Sequence, residues 1–227
     1  MLGNNILMLQ TVANGLGELK DEMVFVGGAV AELYADNPAA SEIRPTIDVD
    51  CVIEISSRLE FARLEENLRT KGFKNDIAPI CRWIYKDIKV DVMPTDSNIL
   101  GFSNRWYEEG IEIKIQKTLP DETKIFVFPP EYYLAAKFEA HNSRGENDLR
   151  QSHDFEDIIY ILDNCSNILD NISASNPSVK EYLKSECKKL LENPNITEGI
   201  ETALPYGSGE ESSEILGMLI REIAEIE

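Results

Sequence analysis

Arg44-Pro45-Thr46-Ile47-Asp48-Val49-Asp50-Cys51-Val52-Ile53-Glu54-Ile55 alternates in polarity from one residue to the next. As a strand it puts Ile47, Val49, Cys51, Ile53 and Ile55 on one face and Thr46, Asp48, Asp50, Val52 and Glu54 on the other. Two acids two residues apart on a pleated strand lie about 6–7 Å from each other and repel, so the pair calls for a reason. A solvated outer face is one; a divalent cation shared by the two carboxylates is the other.

The residues before this strand bear on the choice. Met23-Val24-Phe25-Val26 is a short apolar strand that ends at Gly27-Gly28 and runs into Ala29-Val30-Ala31-Glu32-Leu33-Tyr34, which predicts a helix. Bare backbone N–H groups at a helix N-terminus suit a phosphate, although a Gly-Gly pair can equally make only a tight turn. Ahead of it, Leu2, Ile6, Leu9, Val12, Leu16 and Leu19 recur at helical spacing and predict an amphipathic helix over 2–20. Residues 35–45, with Asn37, Pro38, Ser41 and Pro45, read as a loop.

Downstream, Ser57 caps a helix that Gly72 stops. Three short strands follow at 73–77, 81–85 and 89–93, with turns at Pro79 and Asp87. In the last, Lys89, Asp91 and Met93 share a face, so Asp91 is a third strand carboxylate. Beyond a short helix around Trp106 and Tyr107, alternation over 111–116 and 124–128 predicts a hairpin turning at Pro120-Asp121. Pro129-Pro130 then opens a helix over about 131–142. Lys137 lies inside its apolar run Leu134-Ala135-Ala136-Lys137-Phe138, and Arg144, seven residues on, falls on nearly the same face if the helix continues. A break over 143–147 precedes a second helix capped by Ser152, with Phe155, Ile158, Ile159 and Leu162 as its core stripe. Asp154 sits at the edge of that stripe, placed to orient Lys137 or Arg144, and Asp157 farther out. Residues 167–177 read as a connector, and 179–191 and 212–227 as further amphipathic helices.

Composition bounds the function. The chain has 227 residues, 43% of them hydrophobic, and a net charge of -19. So acidic a chain argues against sequence-independent nucleic-acid binding through a broad basic surface, and leaves Lys114, Lys117 and Lys124 on the hairpin as the candidates for a local basic track. Cys51, Cys81, Cys165 and Cys187 form no Cys-x-x-Cys pair, and with two histidines they suggest neither a zinc site nor a disulfide framework; a reduced, cytoplasmic setting is expected. No apolar run is long enough for a membrane span.

Taken in order, Val26-Gly27-Gly28, Arg44-x-Thr46-x-Asp48-x-Asp50, Asp91, Lys137 in an apolar helix and Ser152-His153-Asp154-x-x-Asp157 resemble the AbiEii-type nucleotidyltransferases, polymerase-beta-like enzymes that include toxins of toxin–antitoxin and phage-abortive systems. The resemblance spans residues 23–165. It implies an α/β (α+β) nucleotidyltransferase core, a mixed sheet flanked by helices over 1–165, with an acidic helical extension over 166–227. It also implies Mg²⁺ on Asp48, Asp50 and Asp91; NTP contacts from Gly27, Gly28, Thr46, Lys137 and Arg144; and catalytic parts for Asp48, Asp50, Asp91, Lys137 and Asp154. The implied reaction transfers NMP from an NTP to an acceptor hydroxyl, such as a tRNA 3′ end, and a cognate antitoxin is an implied partner. Two departures stand out: glycine occupies the second small position, where many members of the superfamily have serine, and the loop from the Gly-Gly turn to Asp48 is long. The acidic chain fits a small polycationic acceptor of aminoglycoside type better than tRNA, which makes that the runner-up, and a catalytically silent binding module with the same fold is the third reading.

Overall fold

The computed structural model describes residues 4–36, 40, 43–76, 78–144 and 148–227. It contains seven strands, β1 Met23–Val26, β2 Asp48–Ile53, β3 Lys74–Asn75, β4 Arg82–Tyr85, β5 Ile88–Pro94, β6 Ile115–Thr118 and β7 Lys124–Val127, joined in one sheet of order β3-β4-β5-β2-β1-β7-β6. The sheet is mixed: β2 runs parallel to β5 and β1 to β7, while the β1/β2, β3/β4, β4/β5 and β6/β7 pairs are antiparallel. The helices described are α1 Asn4–Leu16, α2 Arg58–Thr70, α3 Ser97–Leu100, α4 Tyr107–Glu112, α5 Pro130–Arg144, α6 His153–Asn164, α7 Ile168–Ala174, α8 Pro177–Glu192, α9 Ile196–Ala203 and α10 Gly209–Glu225. This is the α/β mixed sheet with many helices that the sequence predicts.

Two compact units divide the chain: Met1–Leu33 with Arg44–Pro129, and Tyr34–Ile43 with Pro130–Glu227. In the first unit the apolar residues of β1 and β2 are buried, Met23, Val24, Phe25, Val49, Cys51 and Val52 with no solvent exposure, while Asp48 and Asp50 of β2 are half-buried. Leu9, Val12, Ala13 and Leu16 give α1 its buried stripe. The helix predicted over 2–20 ends at Leu16, because Gly17 takes a φ of 58° and the chain continues as a 3₁₀ turn, Gly17–Glu22. Leu2 lies outside the described residues. At the β4/β5 turn, Lys86 and Asp87 both have positive φ, the requirement of a two-residue hairpin that twists with its strands. Ser57 caps α2 as predicted, accepting the Glu60 N–H while Glu60 reaches back to the Ser57 N–H.

Three local expectations change. Ile47, assigned to the inner face, is 71% exposed, because pairing begins only at Asp48 and Ile47 lies in the bend before it. The hairpin strand predicted from 111 starts at Ile115; Ile111 belongs to α4, where Gly110 admits the Phe128 ring at a distance that a Cβ would close to 2.8 Å. The segment after Gly27-Gly28 is helical as predicted in place but 3₁₀ in form, Gly28–Tyr34, a long run for that tighter helix.

The second unit is helical. Phe138 of α5, Phe155, Ile158 and Ile159 of α6, Val179 and Leu183 of α8, and Ile220 and Ile223 of α10 are buried, each set at helical spacing. The connector expected over 167–177 includes α7, whose Ile168 and Ile172, four residues apart, both face inward. The stretch around Pro194 and Pro205 likewise holds α9. Of the predicted break over 143–147, Ser143 and Arg144 complete α5, and 145–147 lie outside the described residues. Among the described residues no helix is long and apolar enough to cross a membrane.

Candidate active site

The register of two parallel strands assembles the acids of the first unit. Asp50 of β2 stands opposite Asp91 of β5, and Asp48 opposite Lys89. Residues directly opposite share a face, and positions two apart on one strand share it too. Asp48, Asp50 and Asp91 therefore project from the same side of the sheet, as the alternation of each strand predicts. The antiparallel partner of Asp91 on β4 is Arg82, which joins them on that face.

Each carboxylate has a holder. The Thr46 hydroxyl donates to Asp48 Oδ1 at 2.9 Å, and the Thr46 N–H donates to Asn5 Oδ1 at 3.0 Å. Asn5 also donates from Nδ2 to the Arg44 carbonyl at 3.2 Å, so one buried α1 side chain clamps the approach to β2. Thr46, implied by the resemblance to contact nucleotide, here orients Asp48. Asp50 lies against Gly27, where φ is 72° and a Cβ would collide with the carboxylate. Glycine is thus required at 27 twice over, for its left-handed backbone and for the space its missing side chain leaves to Asp50.

Asp91 is held by Arg82. The guanidinium donates from Nε to Oδ1 at 2.8 Å and from Nη2 to Oδ2 at 2.7 Å, and Nη2 is 3.5 Å from Asp48 Oδ2. The Asp91 side chain is 12% exposed and that of Arg82 20%. This bidentate fork raises the Arg82 pKa further above its ordinary value, the hydrogen bonds to Asp91 contributing most. Burial pushes up the nearby thiols, Asp50 and Asp91 adding to the effect at Cys51 and Asp91 at Cys81, whose pKa rises to about 11. Both are protonated at neutral pH, and all four cysteines are free and buried.

Three carboxylates on one face form a hard-oxygen donor set of the kind that suits Mg²⁺. The cradle at Gly27 keeps side-chain bulk away from Asp50, so the residues fit such an ion in kind. As they stand, no three acid, His or Cys side chains among the described residues are grouped to hold a metal, and Arg82 engages both oxygens of Asp91.

The second unit carries its own ion network. Lys137 Nζ lies 3.1 Å from Asp154 Oδ1 and 2.5 Å from Asp157 Oδ2, and Arg144 Nη1 lies 2.5 Å from Asp154 Oδ2. Helix α5 does continue to Arg144, and Asp154 meets both cations. Asp157, expected farther out, is fully buried against Lys137, because the lysine leans toward the α6 turn that carries both acids. Burial opposes the Lys137 ammonium, yet Asp157 and Asp154 outweigh it and its pKa is raised. Ser152 caps α6 by accepting the Phe155 N–H, and its hydroxyl lies 2.7 Å from His141 Nδ1.

Two residues escaped sequence reasoning. Asn5 had a signal, an amide at the start of the stripe that continues through Leu9 and Val12. Arg82 had none, since only strand pairing brings it to Asp91.

No family model and no curated protein matches the chain. Among solved structures, it is similar to an antigenic nucleotidyltransferase-like protein from Paracoccidioides brasiliensis, at 16% identity and a TM-score of 0.51, covering 88% of this chain and 94% of that one. An H. pylori protein provisionally assigned as a nucleotidyltransferase aligns at 14% identity and a TM-score of 0.45, covering 98% and 94%. The first likeness shows the nucleotidyltransferase-like fold.

Proposed function

We propose that the chain is a Mg²⁺-dependent nucleotidyltransferase that moves NMP from an NTP to an acceptor hydroxyl, in the manner of the AbiEii-type enzymes. The observation that supports this is the register that lines up Asp48, Asp50 and Asp91 on one face beside the Gly27 cradle. Asp48, Asp50 and Asp91 would hold the ion, which would supply charge neutralisation to an in-line displacement at phosphorus. Thr46 and Asn5 fix the direction of Asp48. Asp91 accepts the proton of the acceptor hydroxyl as its oxygen bonds to the α-phosphorus; the bond from that phosphorus to the bridging oxygen breaks and pyrophosphate leaves. Backbone N–H groups at Gly27-Gly28 face the terminal phosphates. Parts for Lys137, Arg144 and Asp154 in balancing phosphate charge, and a cognate antitoxin as partner, are proposed from the resemblance alone.

A tRNA 3′ end is the acceptor that the resemblance implies. One observation favours a small polycationic acceptor instead. Lys117 pairs with Ile125 and Lys124 with Thr118, so Lys117 and Lys124 stand on opposite faces of the hairpin and share no single track. With a net charge of -19, the chain attracts small cations more readily than RNA.

The test is incubation with each α-³²P-labelled NTP and Mg²⁺, with total cellular RNA in one series and an aminoglycoside in another, beside Asp48→Asn. Label on either acceptor that disappears in the variant is the expected result. Full activity of Asp48→Asn would sink the assignment. Mg²⁺-dependent NTP binding without transfer to any acceptor would favour the silent-module reading.

A further inference from the structure

Arg82 takes both oxygens of Asp91 and reaches toward Asp48, so a fixed positive charge stands among the carboxylates that the proposed function gives to the metal. Arginine does not deprotonate in proteins, so raising the pH does not release its hold on Asp91. A divalent ion arriving alone must either do without Asp91 or displace the fork against its own repulsion from the guanidinium. A phosphate, tetrahedral rather than planar, still offers the guanidinium two oxygens for a bidentate fork like the one it makes with the carboxylate.

We propose that Arg82 is a latch that competes with the divalent ion for Asp91 and is drawn off by the nucleotide's phosphate. In the nucleotide-free protein the latch keeps Asp91 out of the donor set. When the triphosphate arrives, the guanidinium passes to a phosphate oxygen and Asp91 becomes available. Ion and nucleotide then bind with positive coupling, and the protein takes up little metal in the absence of nucleotide. Arg82 is on this account a positioning residue, acting through Asp91. The inference rests on the reading of Asp48, Asp50 and Asp91 as the metal-holding set.

Mn²⁺ binding without nucleotide, followed by electron paramagnetic resonance of the free ion, tests it on the wild type, Arg82→Met, Arg82→Lys and Asp48→Asn. Arg82→Met is expected to bind Mn²⁺ about tenfold or more tightly than the wild type, the scale of losing a charge-assisted fork from the metal-free state. Its affinity for an α,β-methylene NTP in saturating Mn²⁺ should fall. A merely structural arginine would lower metal affinity on removal, and a merely repulsive one would leave Arg82→Lys at the wild-type value, so the two variants together are diagnostic. Arg82→Lys, which keeps the charge and loses the fork, should lie between the two. If far-UV circular dichroism shows Arg82→Met unfolded, Arg82→Lys decides: tighter Mn²⁺ binding than the wild type supports the latch, and equal or weaker binding overturns it. Equal or weaker binding by a folded Arg82→Met, with binding abolished by Asp48→Asn, overturns the latch and leaves the metal site standing. No Mn²⁺ uptake by wild type or either Arg82 variant overturns the metal-site reading itself.

Discussion

At Gly27 two demands fall on one residue. Its φ of 72° costs any side-chain-bearing residue strain, and the place of its Cβ is already taken by the Asp50 carboxylate. Gly27→Ala should therefore lower unfolding stability by about 1–3 kcal/mol. It should also weaken Mn²⁺ binding, because Asp50 must turn away to make room. Urea unfolding and metal titration of the same preparation check the two effects, and a variant with unchanged stability would show that the turn relaxes freely. At this scale the sequence was legible where chemistry is local. A Gly-Gly pair at a strand end and two acids on one strand announce themselves. Arg82 did not, because its partner lies nine positions away across a hairpin, and nothing in a single strand's alternation says which residue of the next strand will face it.

Among elements, the pair α5 and α6 shows how a polar network can be built into an apolar seam. Lys137 answers two acids of α6, and one of these, Asp157, is fully buried. Removing the ammonium leaves Asp157 without its closest cation, so Lys137→Met should cost about 3–5 kcal/mol in unfolding free energy, as expected for breaking a buried pair from one side. The pH dependence has a definite sign. The Lys137 pKa is raised in the folded state, so its contribution is fully present below the ordinary lysine value of about 10.4 and is lost as pH rises through the folded value above it. Cys81, raised from 9.0 to about 11, starts the alkaline loss earlier, between those two values. Urea midpoints across the alkaline range should fall in the wild type, and the part above about 10.4 should shrink in Lys137→Met. The seam itself was readable from periodicity, down to the Ser152 cap and the Asp154 contact. Which acid of α6 lies deeper was not, because a helical wheel gives angle and leaves out how far a long lysine side chain leans along the axis.

For the whole molecule, the governing quantity is the net charge of -19. Like-charge repulsion acts against both compact units and is screened by salt. Raising NaCl from about 0.05 M to about 0.5 M, which shortens the screening length well below 10 Å, should raise the thermal midpoint by a few degrees. Scanning fluorimetry checks this, and a flat or falling response would mean that local ion pairs already balance the excess.

The division between what sequence and tertiary structure each determined follows from the range of the forces involved. Periodicity, caps and breakers act over a few residues, so the sequence alone settled the α/β class, most helices, the strand carrying Asp48 and Asp50, and Asp91 on the matching face of its own strand. Elements held by one or two buried residues, α7 through Ile168 and Ile172 among them, were hidden by a composition rich in Asn and Ser. The tertiary structure decided which strands lie side by side, and so that Asp50 faces Asp91 and Asp91 faces Arg82. Strand register is chosen by the packing of a whole sheet, and no residue's own neighbours in the chain carry that information.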